Sequence, residues 1–256
     1  MIASTYEDDL PQYAPDGKHI VFQSDRSGEL EIWIANSDGS SARQLTHLHA
    51  AVSGYPRWSS DGKYIVFHSR PSGYANLYVM NVESASYRAV TTGTTNDAVP
   101  SWSHDGKWIY FCSDRTGSSQ IWRIPAEGGP ASQVTKNGGA VAFDSADGKL
   151  LFYSKFNEPG LWMLSLNGGS ESQVLPSLYT FDSFAITKAG IYFACRTANK
   201  EASIEFMSFS PRGIQEITRI KSPLGSSLAV SPDGRSLLYV QADQIGSDLM
   251  LVENLK

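Results

Sequence analysis

The apolar and polar residues of this chain alternate in short runs that recur six times. In each run a polar turn precedes a pair of apolar residues two positions apart, and this period is typical of a half-buried β-strand. The pairs are Ile20 and Phe22, Ile65 and Phe67, Ile109 and Phe111, Leu151 and Tyr153, Ile191 and Phe193, and Leu237 and Tyr239. No apolar stripe at helical spacing accompanies them. The pattern therefore predicts an all-β fold.

The turn before each of these strands is repeated as well. It is an Asp-Gly pair in five repeats and Ala189-Gly190 in the other, and successive glycines lie 42 to 45 residues apart. The Asp-Gly pairs are Asp16-Gly17, Asp61-Gly62, Asp105-Gly106, Asp147-Gly148 and Asp233-Gly234. Asp-Gly favours a tight hairpin because both residues tolerate positive φ. A fixed period of this length predicts a repeat architecture.

A short segment before each turn is predicted as the first strand, and a third strand follows the apolar pair in every repeat. The third strand is marked by one large side chain, namely Trp33, Tyr78, Trp122, Trp162, Phe206 or Met250. We expect the five aromatic ones to be buried between neighbouring sheets. A fourth strand is predicted at 44–46, 88–91, 133–135 and 216–218. Four antiparallel strands repeated six times predict a six-bladed β-propeller. Its blades are predicted at residues 6–48, 49–93, 94–137, 138–177, 178–220 and 221–256 plus 1–5, so that residues 1–256 form a single domain.

The ends of the chain determine how this ring closes. The last blade has only three predicted strands, and the third of them is at 249–252. Aligning Pro11 with Pro56 and Pro100 places Met1 inside an outer strand, so residues 1–5 can supply part of the missing strand. We expect closure by this N-terminal strand, which removes an exposed sheet edge. We also expect the chain to be the C-terminal domain of a longer protein. The alternative is that the natural protein itself begins at Met1 and closes its ring with this short strand.

Composition excludes several classes of function. The formal net charge is −5, and Lys and Arg are spread through the turns rather than gathered into the basic stripe that nucleic-acid binding requires. We therefore expect no direct contact with nucleic acid. No apolar run approaches the length of a membrane span, so no membrane insertion is expected. Cys112 and Cys195 fall in blades that are not neighbours, so a disulfide between them is not expected.

The familiar catalytic motifs are missing from the sequence. It contains no Gly-x-Ser-x-Gly, no phosphate-binding Gly-x-x-x-x-Gly-Lys loop, no dinucleotide fingerprint and no His-Glu-x-x-His. The five histidines are assigned to different faces of the propeller, which argues against a shared metal site. No catalytic residue is assigned, and a binding protein is favoured over an enzyme.

Acidic and polar residues lie just before several of the inner strands. In a propeller these positions lie near one mouth of the central channel, and they form a predicted binding set of Asp8, Asp9, Arg57, Asn96, Asp97, Asp182 and Ser226. Asp9, Asp97 and Asp182 come from alternate blades, so they can converge on an axial cation, and Ca²⁺ prefers such oxygen ligands. The alternative is that these aspartates cap backbone N–H groups of adjoining turns.

Arginine residues suggest two further roles. Arg57 stands where the first and third blades have Gln12 and Ser101, and it can pair with the aspartates or bind a carboxylate ligand bidentately. The pairs Asp25-Arg26 and Asp114-Arg115 recur after second strands, and we expect them to form ion pairs between blades.

The repeated phrase carries a family resemblance. The segment 56–63 reads Pro-Arg-Trp-Ser-Ser-Asp-Gly-Lys, and 24–28 reads Ser-Asp-Arg-Ser-Gly. Both resemble the TolB-type propeller repeat over essentially the whole chain, with the fourth and fifth blades the most divergent. The terminal phrase at 228–235, followed by 247–254, resembles the C-terminal propellers of bacterial proteins with an upstream winged-helix DNA-binding domain or kinase domain. The resemblance implies a bacterial protein of the cytoplasm or periplasm.

Three functions follow as hypotheses. The first is a non-catalytic module that binds a protein segment or small molecule on the channel face, as the sensory or scaffolding half of a larger regulator whose effector domain is missing from this chain. The second is a lyase or lactonase that uses a divalent cation in the central pocket. The third is a structural protein-interaction scaffold of the cell envelope.

Overall fold

A computed structural model describes residues 4–50, 52–199, 201–221, 223–243 and 246–253. These residues form six antiparallel sheets, and in each sheet the strands follow one another in chain order. The fold is therefore the all-β six-bladed propeller that the sequence predicts. None of the described residues forms a helix long and apolar enough to cross a membrane.

Each blade begins with an inner strand and continues outward. The first three blades consist of β1 (Asp8–Tyr13), β2 (His19–Ser24), β3 (Glu31–Asn36) and β4 (Arg43–Gln44); β5 (Ser53–Trp58), β6 (Tyr64–Ser69), β7 (Asn76–Asn81) and β8 (Tyr87–Ala89); and β9 (Asp97–Trp102), β10 (Trp108–Ser113), β11 (Gln120–Pro125) and β12 (Ser132–Gln133). The last three consist of β13 (Ala142–Asp144), β14 (Leu150–Ser154), β15 (Leu161–Ser165) and β16 (Ser172–Leu175); β17 (Phe184–Ile186), β18 (Gly190–Arg196), β19 (Ala202–Phe209) and β20 (Arg212–Ile220); and β21 (Leu224–Val230), β22 (Ser236–Asp243) and β23 (Gly246–Glu253).

The sixth blade shows three strands among the described residues. Its predicted fourth strand involves residues 1–3, which lie outside the described part of the chain, and Ser4 and Thr5 are not in a strand. The sixth blade nevertheless packs on the first, because Tyr13 and Phe22 share a core cluster with Leu238 and Val240. Side-chain packing between these blades thus closes the ring.

The hydrophobic core lies between neighbouring blades. Val21 and Ile32 of the first blade pack with Ile65 and Phe67 of the second, and similar clusters join the other neighbours. The third-strand aromatics occupy equivalent positions, but they are half-buried rather than fully buried as expected. The sheets are therefore held together by second-strand residues such as Phe67, which are completely buried.

The predicted fourth strands are displaced by a residue or more in three blades. The threonine of each predicted segment follows its strand, and its hydroxyl accepts a hydrogen bond from the neighbouring third strand. Thr46 accepts from the Ile32 N–H at 2.9 Å, Thr91 from Leu77 at 3.0 Å and Thr135 from Ile121 at 2.8 Å. These threonines therefore end the outer strand and fix the start of the crossover to the next blade.

Four inner strands contain a bulge. Leu10, Tyr55, Val99 and Ser227 have φ between 53° and 71°, and the strand register shifts at each of them. A bulge adds a residue and re-aims the side chains beside it. Positive φ is unusual for a β-branched or bulky residue, so the surrounding blade must enforce it. The short inner strands β13 and β17 of the fourth and fifth blades show no register shift.

The Asp-Gly turns share one hydrogen-bond pattern. In the third blade, Ser103 donates to Asp105 at 2.7 Å, and the Lys107 N–H donates to the same carboxylate oxygen at 3.1 Å. Gly106 follows with φ of 70°, a conformation that glycine adopts without strain. These bonds favour the ionised carboxylate, and the Ser103 hydroxyl holds the pKa of Asp105 below its usual range. The repeated phrase is therefore a structural turn.

Candidate functional site

Two of the predicted site aspartates are neutralised within their own blades. Asp97 is almost completely buried, and Arg115 Nη2 donates to both of its carboxylate oxygens at 2.8 Å. Ser113 Oγ donates to the same carboxylate at 2.6 Å. Asp8 is buried in the first blade and forms the equivalent pair with Arg26. Arg26 and Arg115 were expected to form ion pairs between blades. Each instead pairs with an aspartate of its own blade, so that prediction is wrong.

The guanidinium groups of these pairs also cover the half-buried aromatics. Arg115 lies 4.7 Å from the ring centroid of Trp122 and 5.2 Å from that of Phe111. Arg26 stands at 5.2 Å from Trp33 in the same arrangement. A cation over an aromatic face adds attraction to the ion pair. This carboxylate–arginine–aromatic stack is a repeated structural unit, and we call it the blade stack.

The fifth blade has the carboxylate without the arginine. Arg26 and Arg115 stand six residues after Ile20 and Ile109, and six residues after Ile191 the chain has Thr197. The Thr197 hydroxyl is itself buried without a hydrogen-bond partner among the described residues. Asp182 therefore lacks the counter-charge that the repeat provides elsewhere.

Asp182 instead turns to the second blade. Its Oδ2 accepts a hydrogen bond of 3.1 Å from the Tyr55 hydroxyl, whereas its Oδ1 is buried without a partner among the described residues. Burial raises the pKa of Asp182 above its ordinary value. The bulge that gives Tyr55 a φ of 53° lies in β5 and sets the direction of this side chain. A hydrogen bond thus crosses the propeller axis.

Asp9 completes the acidic part of this arrangement. The Leu10 N–H donates to its Oδ1 at 2.8 Å, and Ser226 forms a side-chain hydrogen bond with it. Burial raises the pKa of Asp9 to about 7, and the charge of Asp182 acts in the same direction. Two carboxyls whose pKa values are raised above the ordinary value therefore lie at the centre of the ring. We call Asp9, Tyr55, Arg57, Asp182 and Ser226 the axial cluster.

Arg57 is the cationic member of the axial cluster. Its side chain is 5% exposed, its Nη1 donates to the Pro56 carbonyl at 3.0 Å, and its guanidinium lies 5.8 Å from the Phe143 ring. Burial lowers the pKa of Arg57, against the nearby charges of Asp182 and Asp9. No carboxylate of the described residues forms a direct ion pair with it. A buried guanidinium without a salt bridge has unused capacity for an anion.

The axial cluster does not fit the expected calcium site. Asp97 belongs to its blade stack, and Asn96 donates to Asp114 at 2.8 Å. Within the described residues, no group of three or more His, Cys, Asp or Glu side chains is arranged to hold a metal ion. The two carboxyls that remain, Asp9 and Asp182, share their surroundings with a guanidinium, which repels a cation. The structure thus brings together Asp9, Arg57, Asp182 and Ser226 of the predicted set, and separates Asp8, Asn96 and Asp97 from them.

A cavity of about 660 Å³ opens where the inner strands lead into their turns. All six blades contribute to it, and we call it the central funnel. Its aromatic lining consists of Tyr13, Trp58, Trp102, Phe143, Phe184 and Tyr192, and its ionisable residues other than tyrosine are Arg57, His104, Asp144, Lys188 and Asp233. Arg57 is therefore shared by the funnel and the axial cluster. From the sequence no role was predicted for these aromatics, although Trp58 and Trp102 recur directly before the turns.

Comparison with known proteins places the chain among propellers. Residues 48–183, a little over half of the chain, match the TolB beta propeller domain family. The crystal structure of TolB from Acinetobacter baumannii superposes with a TM-score of 0.71 at 23% identity, covering 84% of this chain and 55% of that one. Oligogalacturonate lyase from Vibrio parahaemolyticus gives a TM-score of 0.65 at 12% identity, covering 98% and 77%.

A sequence relative adds a short match. An uncharacterised protein of Agrobacterium fabrum is 47% identical over 38 residues, which are 15% of this chain and 13% of that protein. The chain thus spans about half the length of the Acinetobacter TolB chain and a small part of the Agrobacterium protein. The structural likenesses show a shared fold.

Proposed function

Because this chain belongs to the TolB beta propeller domain family, we propose that it is a non-catalytic binding module that holds a carboxylate-bearing ligand or protein segment in the central funnel. The observation that carries the proposal is Arg57, a buried guanidinium at the funnel that no described carboxylate neutralises directly. Arginine binds a carboxylate through two parallel hydrogen bonds, which gives both affinity and orientation.

The rest of the funnel suits such a ligand. Its volume of about 660 Å³ is in the range of pockets that enclose small ligands or a few residues of peptide. Trp58, Trp102 and Phe143 offer apolar area beside the guanidinium, and aromatic side chains contribute strongly to binding in such clefts. The ligand would therefore combine one carboxylate with an apolar or aromatic group.

Paired ligands test this proposal. Indole-3-acetate and its neutral amide, and a short peptide with a free or amidated C-terminus, would be titrated calorimetrically into the protein. We expect the carboxylates to bind more tightly than their amides, and Arg57→Gln to weaken them by about tenfold or more. Arg219→Gln serves as the matched control, because Arg219 is an exposed arginine that pairs with Glu216. Equal binding of acids and amides, or binding unchanged by Arg57→Gln, would contradict the proposal.

The wider setting is a separate part of the proposal. We infer that the module is the sensory or scaffolding domain of a larger bacterial regulator, in which an upstream domain responds to the ligand. The resemblance of the terminal phrase at 228–235 supports this setting. A scaffold of the cell envelope is the alternative, and it predicts capture of a protein partner that is insensitive to Arg57→Gln.

One observation favours an enzyme as a second candidate. Asp9 has a pKa of about 7, which suits a general acid or base near neutral pH. A lyase or lactonase would then lose turnover in Asp9→Asn while ligand binding persists. The binding module predicts no turnover to lose, so turnover assays of the parent and Asp9→Asn, run beside the binding titrations, distinguish the two.

A further inference from the structure

A second cavity lies between the fourth and fifth blades, away from the axial cluster. It has a volume of about 540 Å³, and we call it the side groove. Its apolar wall consists of Leu150, Phe152, Met163, Val174, Met207 and Phe209. Phe209 is 39% exposed and stacks on Phe152 at a centroid distance of 5.8 Å. The groove therefore presents apolar surface to solvent.

The side groove exists because the fifth blade departs from the repeat. In the third blade the hairpin bond runs from Ser103 to Trp108, and in the fifth it runs from Thr187 to Gly190, so this hairpin is two residues shorter. A Cβ added at Gly62 would lie 3.8 Å from Pro15, and one added at Gly17 would lie 3.8 Å from Pro232, so the turns of the sixth, first and second blades lie close together. Shortening the turn withdraws it from the fourth blade and leaves a gap between the two blades.

A smaller side chain at the end of the fifth blade's inner strand also widens the gap between the fourth and fifth blades. Trp58 pairs with Ile65 and lines the groove between the first and second blades. Ile186 pairs with Ile191 and occupies the equivalent position in the fifth blade. The equivalent cleft between the fourth and fifth blades thus lacks an indole, and aliphatic and thioether groups line it instead.

Two cations lie on this apolar groove. Lys188 and Arg212 both line it, and both are exposed. Neither forms an ion pair with a carboxylate of the described residues. Asp147, the acidic group of the lining, is already engaged, because Ser145 and the Lys149 N–H donate to its Oδ1 and Lys149 Nζ lies 3.6 Å from its Oδ2. The groove therefore combines an apolar wall with positive charge that its own acid does not neutralise.

We propose that the side groove binds a small amphiphilic anion, with a single apolar chain against the methionine and phenylalanine wall and a carboxylate beside Lys188 and Arg212. Apolar area supplies most of the affinity of such a site, and the cations fix the direction of the chain. Thr187 and Lys188 also line the central funnel, so the two cavities adjoin. The site is distinct from Arg57 and does not depend on the function proposed for the funnel.

The methionines make a direct test. The chain has five methionines, of which Met163 and Met207 line the side groove and Met80 lies in the core between the first and second blades. Protein labelled with ¹³C at the methionine methyl groups would be titrated with octanoate at neutral pH. We expect saturable shifts at Met163 and Met207 and none at Met80. Octanol, which lacks the charge, and acetate, which lacks the chain, should each bind more weakly.

Charge variants separate the groove from the funnel. Replacing both cations (Lys188→Gln with Arg212→Gln) should weaken octanoate about tenfold, whereas Lys107→Gln, on an ordinary turn of the third blade, should leave affinity unchanged. Arg57→Gln should also leave it unchanged. The proposal is overturned if octanoate shifts neither groove methyl, if the double variant binds as tightly as the parent, or if only a peptide produces the shifts.

Discussion

The third and fifth blades use the same carboxylate in opposite ways. Asp97 and Asp182 both lie near the start of an inner strand, and both are about 1% exposed. Asp97 is held by Arg115 of its own blade, which in turn covers Trp122. Asp182 has Thr197 where that arginine would stand, and its hydrogen bond goes across the axis to Tyr55.

The difference shows where a repeat protein can place a functional site. A blade that follows the repeat satisfies its own buried charge, because the blade stack supplies the cation and the aromatic surface together. A blade that departs from the repeat leaves a buried carboxyl to interact with the rest of the ring. Both departures, Arg57 in the second blade and Thr197 in place of an arginine in the fifth, affect the charges of the axial cluster. The withdrawn turn of the fifth blade also opens the side groove.

The largest effect expected from this comparison is on stability. Arg115→Met should lower the free energy of unfolding by about 3 kcal/mol, because it leaves the Asp97 carboxylate buried without its cation. Arg196→Met is the matched change in the fifth blade. Arg196 is exposed over Tyr179 at 4.1 Å and pairs with no carboxylate in the described part of the chain, so its loss should cost under about 1 kcal/mol. Urea denaturation of both variants measures the difference.

A second variant isolates the charge effect. Adding Asp97→Asn to Arg115→Met removes the uncompensated carboxylate and should restore part of the lost stability. Equal losses from Arg115→Met and Arg196→Met would mean that Asp97 does not depend on its arginine, and the contrast between the blades would fail.

Much of this contrast could be seen in the sequence. The Asp-Gly period and the apolar pairs predict the six blades. Counting six residues from Ile109 gives Arg115 and six from Ile191 gives Thr197, so the loss of the arginine in the fifth blade is visible in the sequence. The pairing of Arg115 with Asp97 could not be predicted, because it depends on the bulge at Val99, a β-branched residue with positive φ. Local propensity disfavours that conformation, and packing of the whole blade enforces it.

The central funnel was missed for a related reason. Trp58 and Trp102 are large apolar residues at the ends of inner strands, and such residues usually pack in the core. Whether an indole faces a neighbouring sheet or the axis depends on strand register and bulges, which the periodicity does not fix. Arg57, in contrast, was recognised because it is a cation at a position where its equivalents are neutral.

The next effect concerns pH. Asp9 has a folded-state pKa of about 7 and an ordinary value of 3.8, so the folded protein binds more protons between these values. Stability from this group is complete below about pH 4 and is lost as pH rises to 7, by about 2 kcal/mol after allowance for its partial exposure. Asp9→Asn should flatten this slope. Parallel stability curves of parent and variant between pH 4 and 8 would refute the assignment.

The aspartates of the Asp-Gly turns make stability depend on pH in the opposite direction. Hydrogen bonds from Ser59 and Ser103 lower the pKa of Asp61 and Asp105 in the folded state. Their contribution is present above the ordinary value of 3.8 and is lost as pH falls through the lower folded-state pKa. Asp105→Asn should therefore lower stability throughout the neutral range, and this loss should shrink only as pH falls below about 4, which separates the outer turns from the axial cluster.

The smallest effect tests the hydrogen bond across the axis. Tyr55→Phe removes the donor to Asp182 and should lower stability by about 1 kcal/mol, and the loss should grow as pH rises, because the phenol stabilises the ionised carboxylate. Tyr78→Phe is the control, since Tyr78 is a half-buried tyrosine of the second blade whose hydroxyl has no hydrogen-bond partner among the described residues. A loss in Tyr55→Phe that is the same at every pH tested would mean that Asp182 does not change its charge over this range. The fifth blade would then differ from the third in geometry alone, and the axial cluster would lose its electrostatic role.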